Sequence, residues 1–501
     1  MSDNRKTNLG LLPAAHPDRS NAAAIVSNPD DLPAEPISYA ELESACAAVA
    51  CHLHANFPQG SRVAIVGENS VNYLLVVLAA ARAGLVAVPM SPRQGAAQIS
   101  EVLAQAQPRI VFADDECRDL VGSDYLLAPL TRDSLGQLAG PDFTPSAGGA
   151  EIALQLYTSG SSGRPKGVLL SHQALMFTLQ GYFDAPAASW LQVLVAAPLF
   201  HLNGLMTCLT TLAQGGTILL LNRFEPNRYL RAIELGRPTV LVGVPTMFAM
   251  VLDALPGHGP LRLDSVLAIV SGSAPLSDEH REEISAAFPA AQVHNSYGTT
   301  EAFGMFGPHP QGLVMPAGSV GACQPGVEVR LVDGPSPSEG RLLVRTPASM
   351  SGYQGADAAT GSRPGEGWYD TGDLVRVDED GFFFVAGRAD DLINCGGEKV
   401  FPAAVEAILQ AHPTVRSAAV VAVADSRKGQ VPVAFVVSVT GAMADPVELK
   451  QHALEHGPAY AHPRRIVVLE ELPTTGPGKV DKRRLQADAA AYRAEERGNA
   501  R

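Results

Sequence analysis

After Arg62 the chain runs Val-Ala-Ile-Val66, an unbroken apolar run that reads as a strand buried on both faces. A helix is predicted over 71–83 with Gly84 as its stop, and Leu85-Val-Ala-Val88 makes the next strand. Strand, helix, strand is the unit that joins parallel neighbours. It recurs at Arg109-Ile-Val-Phe112, and at Val193-Leu-Val-Ala-Ala197 before a helix from about Gly204. It recurs again over 217–221, 240–244 and 266–271, so parallel sheets covered by helices are predicted. Ahead of this, Ser38 and Glu41 form a capping box that starts a helix through Leu42, Cys46, Val49 and Leu53. Residues 1 to about 35, rich in Asn, Asp, Pro and Ala, are expected to begin loosely ordered.

From about Gly318 the texture changes to short strands punctuated by Gly and Pro, over 327–332, 340–345 and 381–385, as in a small β-barrel or curled antiparallel sheet. Beyond Arg388 a mixed pattern returns: a helix over 402–411, strands over 418–424 and 433–439, a helix capped at Asp445, and a strand over 465–469. The domain boundary is placed at Asp390.

At 501 residues the chain is too long for one ordinary domain. A net charge of −14 argues against a nucleic-acid or anionic-membrane partner, so cations must be placed deliberately wherever polyphosphate binds. The six cysteines make no C-x-x-C pair and read as free thiols in a reducing cytoplasm. The apolar run over 73–81 is cut by Arg82 and Gly84 well short of a membrane span, and no signal core or anchor is seen at the start.

The most informative stretch is Tyr157-Thr-Ser-Gly-Ser-Ser-Gly-Arg-Pro-Lys-Gly-Val168. Gly160, Gly163 and Gly167 allow successive backbone N–H groups to point inward; Thr158, Ser159, Ser161 and Ser162 add hydroxyls, and Lys166 adds charge. Read alone, this is a phosphate cradle or a solvated linker. It is not the common P-loop, because Pro165 and Gly167 flank the lysine where that motif needs Gly and Ser or Thr. The stretch resembles the phosphate loop of the adenylate-forming enzymes, the superfamily of acyl-CoA synthetases, adenylation domains and luciferases, whose pattern reads Y-T-S-G-T/S-T/S-G-x-P-K-G-V. Four further motifs of that family follow in order, and the resemblance covers roughly residues 38–485.

The resemblance implies an α/β fold: a large N-terminal domain, 1–389, of two stacked parallel α/β sheets plus a small β-barrel, then a small mobile α+β C-terminal domain, 390–501. In Asn295-Ser-Tyr-Gly-Thr-Thr-Glu-Ala302 it implies that Ser296, Tyr297, Gly298 and Thr299 border the nucleotide, with Tyr297 stacked on adenine. Thr300 would meet the α-phosphate, and Glu301 would hold Mg2+, the hard oxygen ligand that this ion takes beside phosphates. Asp373, in Trp368-Tyr-Asp-Thr-Gly-Asp-Leu374, becomes the ribose ligand, since a carboxylate can accept from both vicinal hydroxyls. Arg388 reaches the ribose and phosphate, Asp390 is the hinge, and Gly396 and Gly397 let the pantetheine arm of coenzyme A pass close to the backbone. Lys479, in Leu472-Pro-Thr-Thr-Gly-Pro-Gly-Lys-Val-Asp-Lys482, is the catalytic lysine bridging the acid's carboxylate and the α-phosphate; Pro477 departs from the usual small polar residue there.

By the same resemblance the acid pocket is lined by His201, Asn203, Gly204, Met247, Gly272 and Met305, with Ser273, Ala274 and Pro275 on the nucleotide side. His201 is the gate beside the acyl group. Amino-acid-activating relatives place an aspartate after the residue corresponding to Phe200, but here His201, Leu202 and Asn203 follow, so an aryl or alkyl acid without an α-amino group is expected. The expected reaction is acid plus MgATP giving acyl-AMP, then transfer to coenzyme A by a cytoplasmic monomer or homodimer. The alternatives are a stand-alone adenylating enzyme that loads a carrier protein and, further off, a non-catalytic nucleotide-binding paralogue.

Overall fold

The computed structural model describes residues 7–30, 36–138, 143, 145, 148–159, 165–183, 186–259, 261–274, 276–355, 367–425, 427–439, 441–474 and 480–489. The predicted alternation becomes two seven-stranded sheets. In the first, Arg62–Val66 pairs in parallel with Val86–Met90 and with Ile110–Ala113, and the latter takes Leu127–Pro129. Val86–Met90 in turn pairs in parallel with Ile152–Ser159. There the sheet stops being parallel: Pro165–Ser171 folds back antiparallel on Ile152–Ser159, and Gly352–Tyr353 adds a further antiparallel edge. Only a few residues separate those two strands, and so short a connection permits only an antiparallel return.

The second sheet runs Gln292–Ser296, Ala268–Gly272, Val240–Gly243, Gln192–Val195, Thr217–Leu220, Ala23–Ser27, Pro36–Ser38, and every neighbouring pair except the last is parallel. The two sheets are stacked with helices between them. The Val71–Arg82 helix is buried from Tyr73 to Arg82, as expected of a helix apolar all round. It shares one core with Val63 and Ile65 of the first sheet, with Val193, Val195, Ile218 and Leu220 of the second, and with the Tyr39–Asn56 and Leu202–Ala213 helices. Arg82 is buried there because Glu43 pairs with it at 2.6 Å and its Nε and Nη2 donate to the Phe143 carbonyl.

The N-terminal segment departs from expectation. Residues 7–30 are not loose: Leu9–Ala14 is a short 3-10 helix whose Leu9 and Leu12 are fully buried, and Ala23–Ser27 is inserted into the second sheet between Thr217–Leu220 and Pro36–Ser38. Asn8 caps the 3-10 helix and donates to the Ala81 carbonyl at 3.2 Å, while the Leu9 N–H donates to His172 Nδ1 at 3.1 Å. These partners lie far along the chain, so no local pattern announces them.

Six strands between 306 and 388 form an antiparallel sheet in the order Phe306–Gly307, Gly321–Cys323, Phe382–Arg388, Tyr369–Val377, Glu339–Arg345, Glu328–Ser336; among the described residues its outer strands do not pair with each other. The last sheet packs Ile393–Cys395, Glu398–Val400, Val415–Asp425, Gly429–Ser438 and Arg465–Leu469 against the Pro402–Gln410 and Pro446–His456 helices. Among the described residues no helix is long and apolar enough to cross a membrane.

Candidate active site

In an open parallel sheet the loops beyond the carboxyl ends of the strands share one rim, where ligands bind. The second sheet puts four expected segments there. Gln192–Val195 leads to the turn that carries His201, and Val240–Gly243 leads to the Pro245–Ala254 helix with Met247. Ala268–Gly272 leads to Ser273 and Ala274, and Gln292–Ser296 leads to Tyr297. Ser273 has φ +66, backbone that a side chain rarely adopts, at the point where the chain leaves the sheet. Gly272 faces Ser296 across the pair, and a Cβ there would lie 2.2 Å from Ser296 Oγ.

Tyr297 opens a tight hairpin in which Gly298 pairs with Gly304 and Thr299 with Phe303, leaving Thr300, Glu301 and Ala302 at the tip. A side chain at Gly298 would meet the Phe303 carbonyl at 2.6 Å, so the motif's glycine is required by the hairpin itself. Thr299 Oγ1 accepts from the Ala302 N–H at 3.1 Å, which stiffens the tip beneath Glu301.

Two groups of side chains assemble around this hairpin. In the first, the Tyr297 hydroxyl donates to Asp373 Oδ2 at 2.5 Å and Arg388 Nη1 donates to Asp373 Oδ1 at 3.0 Å. Asp373 lies opposite Arg388 in the register of the antiparallel sheet, and it is buried. Gly372, with φ +70, leaves the space across which the guanidinium lies; a Cβ would be 2.8 Å from Arg388 Nη2. Burial, and then the charge of Asp373, hold the Tyr297 hydroxyl well above the ordinary tyrosine range, so it stays a donor. The Tyr297 ring packs against Phe306, which stacks on Phe383 at 4.4 Å between centroids.

In the second group, the Tyr353 hydroxyl donates to Glu301 Oε1 at 3.0 Å, and Lys166 Nζ lies 5.4 Å from the centre of the Tyr353 ring. Burial, with Glu301 beside them, also raises the Tyr353 and Tyr369 hydroxyls. Lys166 sits opposite Thr158 in the hairpin of the phosphate motif. That hairpin is braced by the fully buried Gln155, whose Nε2 donates to Tyr157 Oη at 2.7 Å and to Gln354, and whose Oε1 accepts from Arg62 at 2.7 Å. Gly167 makes room for this brace, since a Cβ would lie 2.7 Å from Gln155 Nε2. Gln155, Tyr353 and Gln354 were not singled out in the sequence; a buried glutamine inside a strand is the one signal that could have flagged the brace.

Other expected residues fall elsewhere. Gly160, Ser161, Ser162, Gly163, Pro275 and Lys479 lie outside the described residues, as does the side chain of Ser159. His201 precedes the Leu202–Ala213 helix with its ring 4.0 Å from that of Phe200, and Asn203 and Gly204 are in the first turn. Gly204 is there for packing: a Cβ would meet the Pro198 and Ala197 carbonyls at 2.4 and 2.6 Å. Met305, expected on the acid pocket, is instead fully enclosed with Ala302, Phe306, Val320, Leu342 and Val344 in the core of the antiparallel sheet, because it faces that core. Gly396 and Gly397, with φ +68 and +95, form the exposed turn between Ile393–Cys395 and Glu398–Val400. Asp390 is exposed in the turn between the last two sheets, where the Asp391 N–H donates to the Arg388 carbonyl at 3.2 Å.

Among the described residues no three His, Cys, Asp or Glu side chains stand ready to cage a metal. Glu301, which accepts from the Tyr353 hydroxyl, fits Mg2+, which is commonly bound by one or two carboxylates and the substrate's own phosphates.

Comparison with known proteins identifies the family of the chain. The family model described as AMP-binding enzyme matches residues 14–354, and that of the AMP-binding enzyme C-terminal domain matches 404–479. The chain is 35% identical to a feruloyl-CoA synthase of Amycolatopsis sp., over 89% of this chain and 92% of that one. It is 31% identical to the fatty acid–[acyl-carrier-protein] ligase ScoC of Streptomyces coeruleorubidus, over 86% and 87% of the two chains. The crystal structure of ATP-bound MatB from Rhodopseudomonas palustris superposes with a TM-score of 0.85 at 30% identity, over 96% of this chain and 99% of that one. The chain therefore belongs to the AMP-binding enzyme family and is an ATP-dependent acid–CoA ligase that works through an acyl adenylate.

Proposed function

We propose that the acid is an aryl carboxylic acid of the hydroxycinnamate type, with ferulate as the probe of choice. The observation that carries this is the 35% identity to a feruloyl-CoA synthase along nearly the whole chain. The pocket turn supports it: Phe200 and His201 present adjacent rings, and neither Leu202 nor Asn203 supplies the carboxylate that a substrate ammonium would need.

In the first half-reaction the carboxylate oxygen attacks the α-phosphorus of ATP and pyrophosphate leaves. The segment that carries Thr158, Ser159, Gly160, Ser161, Ser162, Gly163 and Lys166 holds the β- and γ-phosphates, with Lys166 oriented by the Tyr353 ring. Tyr297 stacks on adenine, Asp373 and Arg388 hold the ribose, Thr300 meets the α-phosphate, and Lys479 brings carboxylate and phosphate together. Mg2+, held by Glu301 and the phosphates, would offset the charge of the triphosphate. For the second half-reaction, residues 390–501 turn about Asp390, and the Gly396-Gly397 turn lines the path of the coenzyme A thiol to the acyl carbonyl, displacing AMP.

The test is pyrophosphate release from MgATP with ferulate, phenylacetate, octanoate and malonate, each with and without coenzyme A. Release fastest with ferulate, and multiplied by coenzyme A, is expected; preference for octanoate or malonate would overturn the aryl assignment. The likeness to a carrier-protein ligase gives a second acceptor to test, and tightly held feruloyl-AMP that coenzyme A does not discharge would favour it.

A further inference from the structure

The four residues of the loop that leaves the Arg62–Val66 strand all make contacts that fix it. Gly67 lies against Asp114, where a Cβ would be 2.4 Å from Oδ2, and the Glu68 N–H donates to the same oxygen at 2.9 Å. Ser70 caps the Val71–Arg82 helix by accepting from the Tyr73 N–H at 3.1 Å. Asn69 faces the other sheet. It is 7% exposed, and its Nδ2 donates to the Ala197 carbonyl at 3.0 Å and to the Leu221 carbonyl at 3.2 Å. Its Oδ1 accepts from the Leu199 N–H at 2.8 Å, and its own N–H donates to the Asn222 carbonyl at 3.2 Å.

Ala197 and Leu199 flank Pro198 in the turn that ends at His201, and this turn is gripped from two sides. Asn69 holds its sheet side through a donor and an acceptor on two separate atoms, with a second donor bond left for Leu221; an aliphatic side chain supplies neither, an ionised carboxylate only acceptors, and a hydroxyl a single donor from a single atom. Gly204 closes the helix side by packing directly on the Ala197 and Pro198 carbonyls. Inside the turn the His201 N–H donates to the Pro198 carbonyl at 3.1 Å. We propose that Asn69 is a positioning residue: from the sheet that carries the phosphate hairpin, it fixes the 197–201 turn and so sets His201 at the acid pocket. The inference rests on the reading of His201 as a pocket residue.

The experiment is a double-mutant cycle of Asn69→Ala and His201→Ala, with ferulate and ATP as varied substrates and Ser70→Ala as a neighbour that loses a helix cap without touching the turn. Asn69→Ala is expected to lower kcat/KM for ferulate by on the order of tenfold to a hundredfold, as displacement of a positioned group does. KM for ATP should stay within about twofold, the limit of independent sites. The double variant should be no worse than the more impaired single one. Ser70→Ala should melt at a lower temperature with kcat/KM for ferulate within about twofold of the parent. Should Asn69→Ala fail to fold, Asn69→Asp, which keeps an acceptor for Leu199 and loses both donors, enters the same cycle. The inference is overturned if the two losses multiply, or if KM for ATP rises as much as KM for ferulate. If His201→Ala alone leaves ferulate turnover unchanged, the reading of His201 fails and takes the inference with it, an outcome visible without the Asn69 variants.

Discussion

Removing one oxygen from Tyr297 separates its two proposed duties. Tyr297→Phe keeps the ring beside Phe306 and deletes the hydroxyl that donates to Asp373 Oδ2 at 2.5 Å. Hydrogen bonds to a charged group contribute about 1.5–3 kcal/mol. Arg388 still donates to the other carboxylate oxygen at 3.0 Å, so the lower end applies, and about 1.5 kcal/mol corresponds to roughly a tenfold weaker Kd for AMP. Tyr297→Ala should lose a further factor of ten or more, because base stacking on an aromatic ring contributes about 1–3 kcal/mol. The assay is equilibrium binding of AMP and of 2′,3′-dideoxy-AMP by calorimetry. If the hydroxyl acts by aiming Asp373 at the ribose, the dideoxy ligand should bind the parent and Tyr297→Phe within about twofold of each other. The reasoning fails if Tyr297→Phe binds AMP like the parent, or if it weakens both ligands equally.

Met305→Ala, which empties a fully enclosed site in the antiparallel sheet, should destabilise by about 2–5 kcal/mol in chemical denaturation yet leave the ranking of acids unchanged. A changed ranking would return Met305 to the pocket. Burial pushes His172 down to about 4 from its usual 6.5, so an unfolded chain takes up this proton before the folded one does. Stability should therefore fall as pH drops from 6.5 towards 4, by up to roughly 3 kcal/mol, with no further loss from this group below that. His172→Gln should flatten this part of the melting-temperature profile, and an unchanged slope would assign it to other groups.

The inner parallel strands of the two stacked sheets were legible because strands buried on both faces are apolar along their length, as at residues 63–66 and Val240–Gly243. The Ser38 box and the Asp445 cap were legible because capping is local chemistry. What escaped was non-local. Ala23–Ser27 is a strand by virtue of Thr217–Leu220, and the 3-10 helix at Leu9 by virtue of Ala81 and His172. Within the site, motif residues such as Tyr297, Glu301 and Asp373 were marked in the sequence. Tyr353, which holds Glu301, and Asn69, which holds the turn leading to His201, come from distant segments and carry no local signature. Met305 was expected on the pocket, but between two short strands its side chain packs into the same core as Phe306, Val320 and Leu342, a contact set by distant segments that a motif does not encode.

The central claim is most directly tested by exchange of labelled pyrophosphate into ATP with ferulate and Mg2+ present and coenzyme A absent. The account predicts exchange that depends on the acid and, once coenzyme A is added, one feruloyl thioester and one AMP for each pyrophosphate released. ADP and phosphate as products, or exchange that appears only when coenzyme A is present, would contradict an acyl adenylate formed before the thiol arrives.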